Sequence, residues 1–537
     1  MRREISTMAR RISIFTFFIW MIPCAMTGPA FFGTTFRVSY FSQANQQAAS
    51  STSKWLDGAR QALHSGDLQA TRRFLDLALR ENPNSFEAHL LLAQCEQQSG
   101  NTESAVAEFQ VAAELKPDSF SAHYGLALAL LRRGNRPGGE EELRRALEIN
   151  PGSADANYNF GVLLLEEGKN AEALAILRLA SQLGPNRPDL SFNLIRAAIN
   201  SGQAALAREE IAKCEKRPFA NFKWYLGIGS LLLDAGLLND AIPLLAKAYR
   251  IQPASSEARV QLSRAYLASN QSAEVVLLLQ APQNAEESYL AASAYYQLAK
   301  YGEAEALSVE CLNSQPRNPL YLLLRARIYQ RRGDQKAALE LLTRAAVLDP
   351  GLSEVFYSQA VSHYFLGEYQ AVRASLDRAI ALKPGVGRDL FLYGISLENE
   401  NQNGDAVRYL KRAIELDSSN ARYHFHLGAT LLRMDEKEAA RQELLKSIAL
   451  QRDYAFPHYL LGKMMAHEND FAGARNELEI AVKCQPDLAA ALYQLSRVYS
   501  ALDERELAAD TIARFKALRE QQIQDDAVLK SEISSQL

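Results

Sequence analysis

The chain contains little cysteine, five residues in 537. Cys24, Cys95, Cys214, Cys311 and Cys484 stand far apart, with no CxxC and no pair at metal-ligand spacing. No structural disulfide is expected. Cys214 and Cys311 fall where other copies of the pattern described below carry alanine, so they read as small buried residues. Catalytic signatures are missing too. There is no GxxxxGK followed by Ser or Thr, no GxSxG, no HExxH and no Rossmann glycine run. The chain also lacks an excess of positive charge. It carries 59 basic and 62 acidic side chains, a net of −3. Five arginines and one glutamate lie within residues 1–37, so the remainder has 54 basic against 61 acidic, a net of −7. That body lacks the basic stripe expected of a nucleic-acid binder.

What is present first is a basic, then apolar, N-terminus. Arg2, Arg3, Arg10 and Arg11 precede a run of 25 uncharged residues from Ile12 to Phe36, which Arg37 closes. Its densest part, Ile12 to Ile22, has signal-peptide length. The whole run is long enough to span a bilayer. Pro23, Gly28 and Pro29 interrupt it and favour a cleaved signal over an anchor. Ser42-Gln43-Ala44 is a small-x-small cleavage site, and Met8 is a second candidate start. Residues 1–44 therefore read as a signal peptide or membrane anchor with a cytoplasmic N-terminus. The body is expected to be exported or membrane-anchored, on the extracytoplasmic side, with a cytoplasmic chain as the alternative. Residues 45–53 read as a polar linker.

The rest is organised by a period. Pro83, Pro117, Pro151 and Pro185 are 34 residues apart, as are Pro316, Pro350 and Pro384. Three more steps reach Pro486 through Ser418 and Arg452. Five residues before the proline is an alanine-like residue, twelve before it a small residue, and seventeen before it usually a glycine. Ala112, Ala105 and Gly100 are one set, and Ala345, Ala338 and Gly333 another. On each side of Gly168, apolar residues recur three and four apart, the spacing of a helical face. Gly168 suits the left-handed end of a first helix, and Pro185 would stop a second. Gly161 and Ala173 are small where the two would cross. A pair this short cannot bury both faces alone, so a fixed period implies a stack.

These residues resemble the tetratricopeptide repeat (TPR) family. One repeat shows Ala93, Gly100, Ala105, Phe109, Ala112 and Pro117, and another Ala326, Tyr329, Gly333, Ala338, Leu342, Ala345 and Pro350. The resemblance covers residues 52–520 and implies an all-α, right-handed superhelical solenoid of about 13–14 helix pairs. Between Pro253 and Pro316 about five residues are missing from the period. Residues 54–280 and 285–520 thus read as two arrays, with Ala281-Pro282-Gln283-Asn284 as a joint. A shortened helix within one continuous coil is the other reading. The last repeat has the polar character of a cap, and residues 521–537 read as a polar tail.

Within the repeats, Tyr124, Tyr158, Phe192, Tyr289, Tyr357, Phe391, Phe425, Tyr459 and Tyr493 share one position, three before the small residue of the first helix. The family resemblance places that position on the inner groove, where stacking would align the rings as a ladder. Large rings with few rotatable bonds suit peptide binding, and packing against neighbours is the competing role. Arg327, Lys463 and Arg497 share a second position, four residues further on, and would form a basic stripe beside the rings. Solvated surface charge is the competing role here. Asn159 and Asn193, with Arg196, hint at a carboxylate clamp, but no lysine completes it. His89, His123, His424 and His458 share the position of Trp55 and Tyr225, which implies packing between helices rather than metal binding. His424 and His426, two apart on a helix, point away from each other.

The expected function is non-catalytic: a scaffold that takes a peptide or helix of another protein in its groove, without cofactor, metal or nucleic acid. Membrane contact would come through the N-terminal segment alone. Two alternatives stand beside it. One is a subunit of envelope assembly or export machinery, for pili, polysaccharide or outer-membrane proteins. The other is a regulatory arm of a glycosyltransferase-like enzyme, although no segment outside the repeats is long enough for a catalytic domain.

Overall fold

The computed structural model describes residues 52–184, 187–217 and 220–536. The signal or anchor expected over residues 1–44, and Pro185 and Pro218, lie outside the described residues. Among those residues there are 28 helices and no strand, and no helix is long and apolar enough to cross a membrane. The chain forms two compact units, through Arg217 and from Pro218 onwards.

The first unit holds α1 (52–64), α2 (Leu68–Glu81), α3 (Phe86–Gln98), α4 (Thr102–Leu115), α5 (Phe120–Arg132), α6 (Arg136–Ile149), α7 (Ala154–Glu166), α8 (Asn170–Leu183), α9 (Pro188–Asn200) and α10 (Ala204–Cys214). The second begins with α11 (Phe222–Asp234), α12 (Leu238–Ile251), α13 (Ser256–Ala268), α14 (Ser272–Leu278), α15 (Ala285–Gln297), α16 (Tyr301–Ser314), α17 (Pro319–Arg331), α18 (Gln335–Leu348), α19 (Ser353–Phe365) and α20 (Tyr369–Leu382). It ends with α21 (Gly387–Asn399), α22 (Asn403–Leu416), α23 (Ala421–Arg433), α24 (Lys437–Leu450), α25 (Ala455–His467), α26 (Phe471–Cys484), α27 (Ala489–Ala501) and α28 (Arg505–Gln536). Odd and even helices pair, and each pair packs on the next within its unit. This is a helical solenoid, as the period implies.

The local code is legible at each boundary. Ser85, Ser119, Ser153 and Ser255 cap first helices by accepting from the amide three residues on, at 3.2–3.3 Å. Between partners the chain turns through a left-handed residue. Gly168 has φ +75°. Its N–H donates to Leu165 O, and the Lys169 N–H donates to Leu164 O at 2.9 Å, which satisfies the last carbonyls of α7. The same place is held by Asn270, Asn401, Asp435, Asn469 and Asp503, side chains that tolerate this conformation, and by Ala299, which tolerates it less well. A Cβ on Gly161 would come within 2.6 Å of Leu177 Cγ, so glycine there sets the approach of α7 to α8. Cys214 and Cys311 are buried in the alanine-like places.

The broken period has a visible cause. α14 has seven residues where its counterparts have fourteen. The left-handed residues Asn270 and Ala299 bracket the shortened unit. A buried ion pair ties down the connection that follows. Arg259 donates to Pro253 O at 2.9 Å, to Gln283 Oε1 at 2.7 Å and to Glu287 Oε1 at 2.8 Å. Glu287 also accepts from Ser256 Oγ at 2.6 Å and from the Gln283 amide at 2.9 Å.

The shared histidine position is more than packing. His89, His123, His424 and His458 each bring Nδ1 to 2.6–2.7 Å from a glutamate nineteen residues on: Glu108, Glu142, Glu443 and Glu477. Each Nε2 faces a backbone carbonyl six residues back, of Pro83, Pro117, Ser418 and Arg452. A carbonyl only accepts, so each Nε2 is the donor in that contact, and the glutamate closes the clasp against the other ring nitrogen. For His458 the hydrogen bond to Glu477 raises the pKa above 6.5 against the opposing effect of burial. A raised folded pKa means stability that is complete below the unfolded pKa and is lost as pH rises through the folded one. The urea midpoint of the native chain is therefore expected to fall as pH rises above 6.5. His458→Gln is expected to lower the midpoint at pH 6 and flatten that slope; an unchanged slope contradicts the clasp.

Candidate functional site

The first helices of the second unit pack side by side, α13 on α15, α15 on α17, α17 on α19 and α19 on α21. Their shared face carries two adjoining cavities. One, of about 550 Å³, is walled by Leu267, Tyr289, Leu320, Leu323 and Leu324, with Arg264 at its edge. The other, of about 520 Å³, is walled by Tyr357, Val361, Phe365, Arg331 and Arg388. Tyr296 and Arg327 line both, so the two form one groove. Leu320 is 42% exposed and Phe365 68%.

Electrostatics divide the groove. Arg327 donates to Glu354 Oε2 at 2.7 Å, and Arg388 donates to the other oxygen of the same carboxylate. Burial alone would raise the pKa of Glu354, but the two arginines outweigh it and hold the carboxyl below its usual range. Arg388 also lies over the Tyr357 ring, 4.3 Å from its centre. Arg331 donates from Nε to the Tyr296 hydroxyl at 3.2 Å. Among the described residues it meets no carboxylate in an ion pair.

The ladder residues fall into several settings. Tyr289 and Tyr357 line the groove with Arg327. Tyr289 also packs on Tyr321 at 5.1 Å. In the first unit the Tyr124 hydroxyl accepts from Asn159 Nδ2 at 2.7 Å, and the Tyr158 hydroxyl accepts from Asn193 Nδ2 at 3.1 Å. Those asparagines hold rings of the preceding repeat, which leaves them unlike a carboxylate clamp. Arg187 covers the Tyr158 ring at 4.4 Å. Phe192 is half-buried on α9. Phe391 stacks on Tyr423 at 4.7 Å, and Phe425 packs among Tyr454 at 5.3 Å and Phe456 at 5.8 Å. Tyr459 packs against the core of the last helices, and Tyr493 sits 5.5 Å from Phe515.

The second shared position does not form one uniform stripe. Arg327 is ion-paired, whereas Lys463 and Arg497 have no ion-pair partner among the described residues. Lys463 lines a cavity of about 410 Å³ and Arg497 one of about 220 Å³, with His467 in both linings. His424 and His426 bond different glutamates, Glu443 and Glu398. Tyr296 and Phe365 escaped the sequence reading. Tyr296 lies seven residues after Tyr289, two helical turns along the same face, and that spacing was the available signal.

Profiles of the tetratricopeptide repeat match residues 62–131, 164–214 and 232–281. A second such profile matches 124–188 and 391–455, and a third matches 319–344. The chain belongs to the tetratricopeptide repeat family. No curated protein matches this TPR chain. Among solved structures, the APC/C hetero-tetramer Cut9–Hcn1 is similar over 85% of the TPR chain and 98% of its own, at 16% identity and a TM-score of 0.44. YrrB, described as a TPR protein with an unusual peptide-binding site, is similar over 35% of this chain and 96% of its own, at 19% identity and a TM-score of 0.30. MamA from residue 41 onwards, of Desulfovibrio magneticus RS-1, is similar over 31% and 95%, at 20% identity and a TM-score of 0.29.

Proposed function

We propose that this TPR chain is a non-catalytic scaffold that binds an extended segment of a partner protein in the groove of its second unit. The observation that carries the reading is the groove itself: two adjoining cavities on the first-helix face, walled by Tyr289, Tyr296 and Tyr357, with Leu320 and Phe365 left open to solvent. Aromatic walls supply contact area at low conformational cost, and paired helices hold them in place before a ligand arrives.

A random dodecamer display library selected on the full chain tests this. Leu320 and Phe365 are exposed, so Leu320→Ala with Phe365→Ala leaves the helix pairs intact. Peptide recovery is expected to fall at least tenfold on the double variant, at unchanged helix content by circular dichroism. Equal recovery on both proteins would sink the groove as the binding surface.

A further inference from the structure

Resting on that reading, we infer that the groove takes a partner segment with an apolar residue at one end and an aspartate or glutamate about three positions away. The apolar half of the groove is made by Leu267, Leu320, Leu323 and Leu324 together with the Tyr289 ring. The cationic half is made by Arg327, Arg331 and Arg388, and no acidic side chain among the described residues lines it. Glu354, which sits beside this wall, is shared between Arg327 and Arg388. Asp389 lies 3.5 Å from Arg388 Nε but is buried beneath it. Arg331 is left with a phenol oxygen as its bonded neighbour. Arg331 is exposed, so its remaining guanidinium donors face solvent, where a carboxylate matches their fork.

The spacing follows from the stack. The apolar cavity centres on α15 and α17 and the cationic one on α17 and α19, so they are offset by one repeat. Neighbouring helices lie roughly 8–10 Å apart. An extended chain rises about 3.3 Å per residue, so about three residues span that offset. Tyr296 and Arg327 line both halves, so one occupant can meet both.

The display selection reads this directly, because recovery and composition are separate results. On the native full chain, recovered dodecamers are expected to pair an apolar residue with an Asp or Glu about three positions away, with acidic content at least threefold above the naive library. Arg331 makes no ion pair among the described residues, so its replacement breaks none of theirs. On Arg331→Gln the acidic enrichment should fall at least by half while apolar enrichment persists. On Arg331→Glu the enrichment should turn toward Lys and Arg. Peptides recovered without acidic enrichment, or with an enrichment that neither variant changes, overturn this inference and leave groove binding standing. Failure to recover peptides overturns both.

Discussion

Glu287→Ala is expected to cost about 3–5 kcal/mol and to loosen α13 to α15 selectively. Glu287 is fully buried and Arg259 nearly so, at 0% and 8% side-chain exposure. Burial would raise the Glu287 pKa, but the bonds from Ser256, the Gln283 amide and Arg259 reverse that and hold it low. Removing the carboxylate strands the guanidinium in a dry site and releases the Gln283 amide. Repeats in a stack contact only their neighbours, so the loss stays local. Hydrogen exchange in peptides from α13–α15 should speed by roughly two to three and a half decades, at about 1.4 kcal/mol per decade, with α23–α25 little changed. Glu287→Gln should cost less, since it keeps an acceptor for Ser256. Uniform acceleration along the chain, or none, would contradict the clamp.

The second large effect lies in the first unit. Phe109 is 1% exposed, and its ring occupies the space that a Cβ on Gly125 would need. Phe109→Ala should cost about 3–5 kcal/mol through lost burial and the cavity left behind. Gly125→Ala alone should cost about 1–3 kcal/mol by overpacking against the ring. With the ring gone, the same methyl enters free space and lowers the conformational entropy of the unfolded chain relative to glycine, so its cost should vanish or reverse. The double variant is then more stable than the sum of the singles by at least about 1 kcal/mol, a coupling that residues in direct contact show. Urea unfolding of the two singles and the double measures it, and simple additivity would refute the contact.

Much of the fold was legible because its determinants are local. The left-handed turn at Gly168, the serine caps and the small residue facing Leu177 each recur at fixed offsets, and each specifies backbone rather than side-chain geometry. The site was legible in register only. Residues 34 apart stack, so Glu354 and Arg388 could be read as neighbours; that one carboxylate would also reach Arg327 depends on rotamers. Asn159 resembles a clamp residue by position, yet it spends its amide on Tyr124. The histidine position carried its answer in the sequence, since a glutamate follows each by nineteen residues.

Photo-crosslinking tests the central claim most directly. A benzophenone side chain replaces Phe365 in the groove, or Val347 on α18, which is 77% exposed. Both proteins are expressed in their native cells and irradiated. The account predicts discrete adducts from position 365, reduced by excess of a display-selected dodecamer, and none of those adducts from position 347. The same adducts from both positions, or adducts from 365 that the dodecamer does not displace, would show that the groove is not where this chain meets its partner.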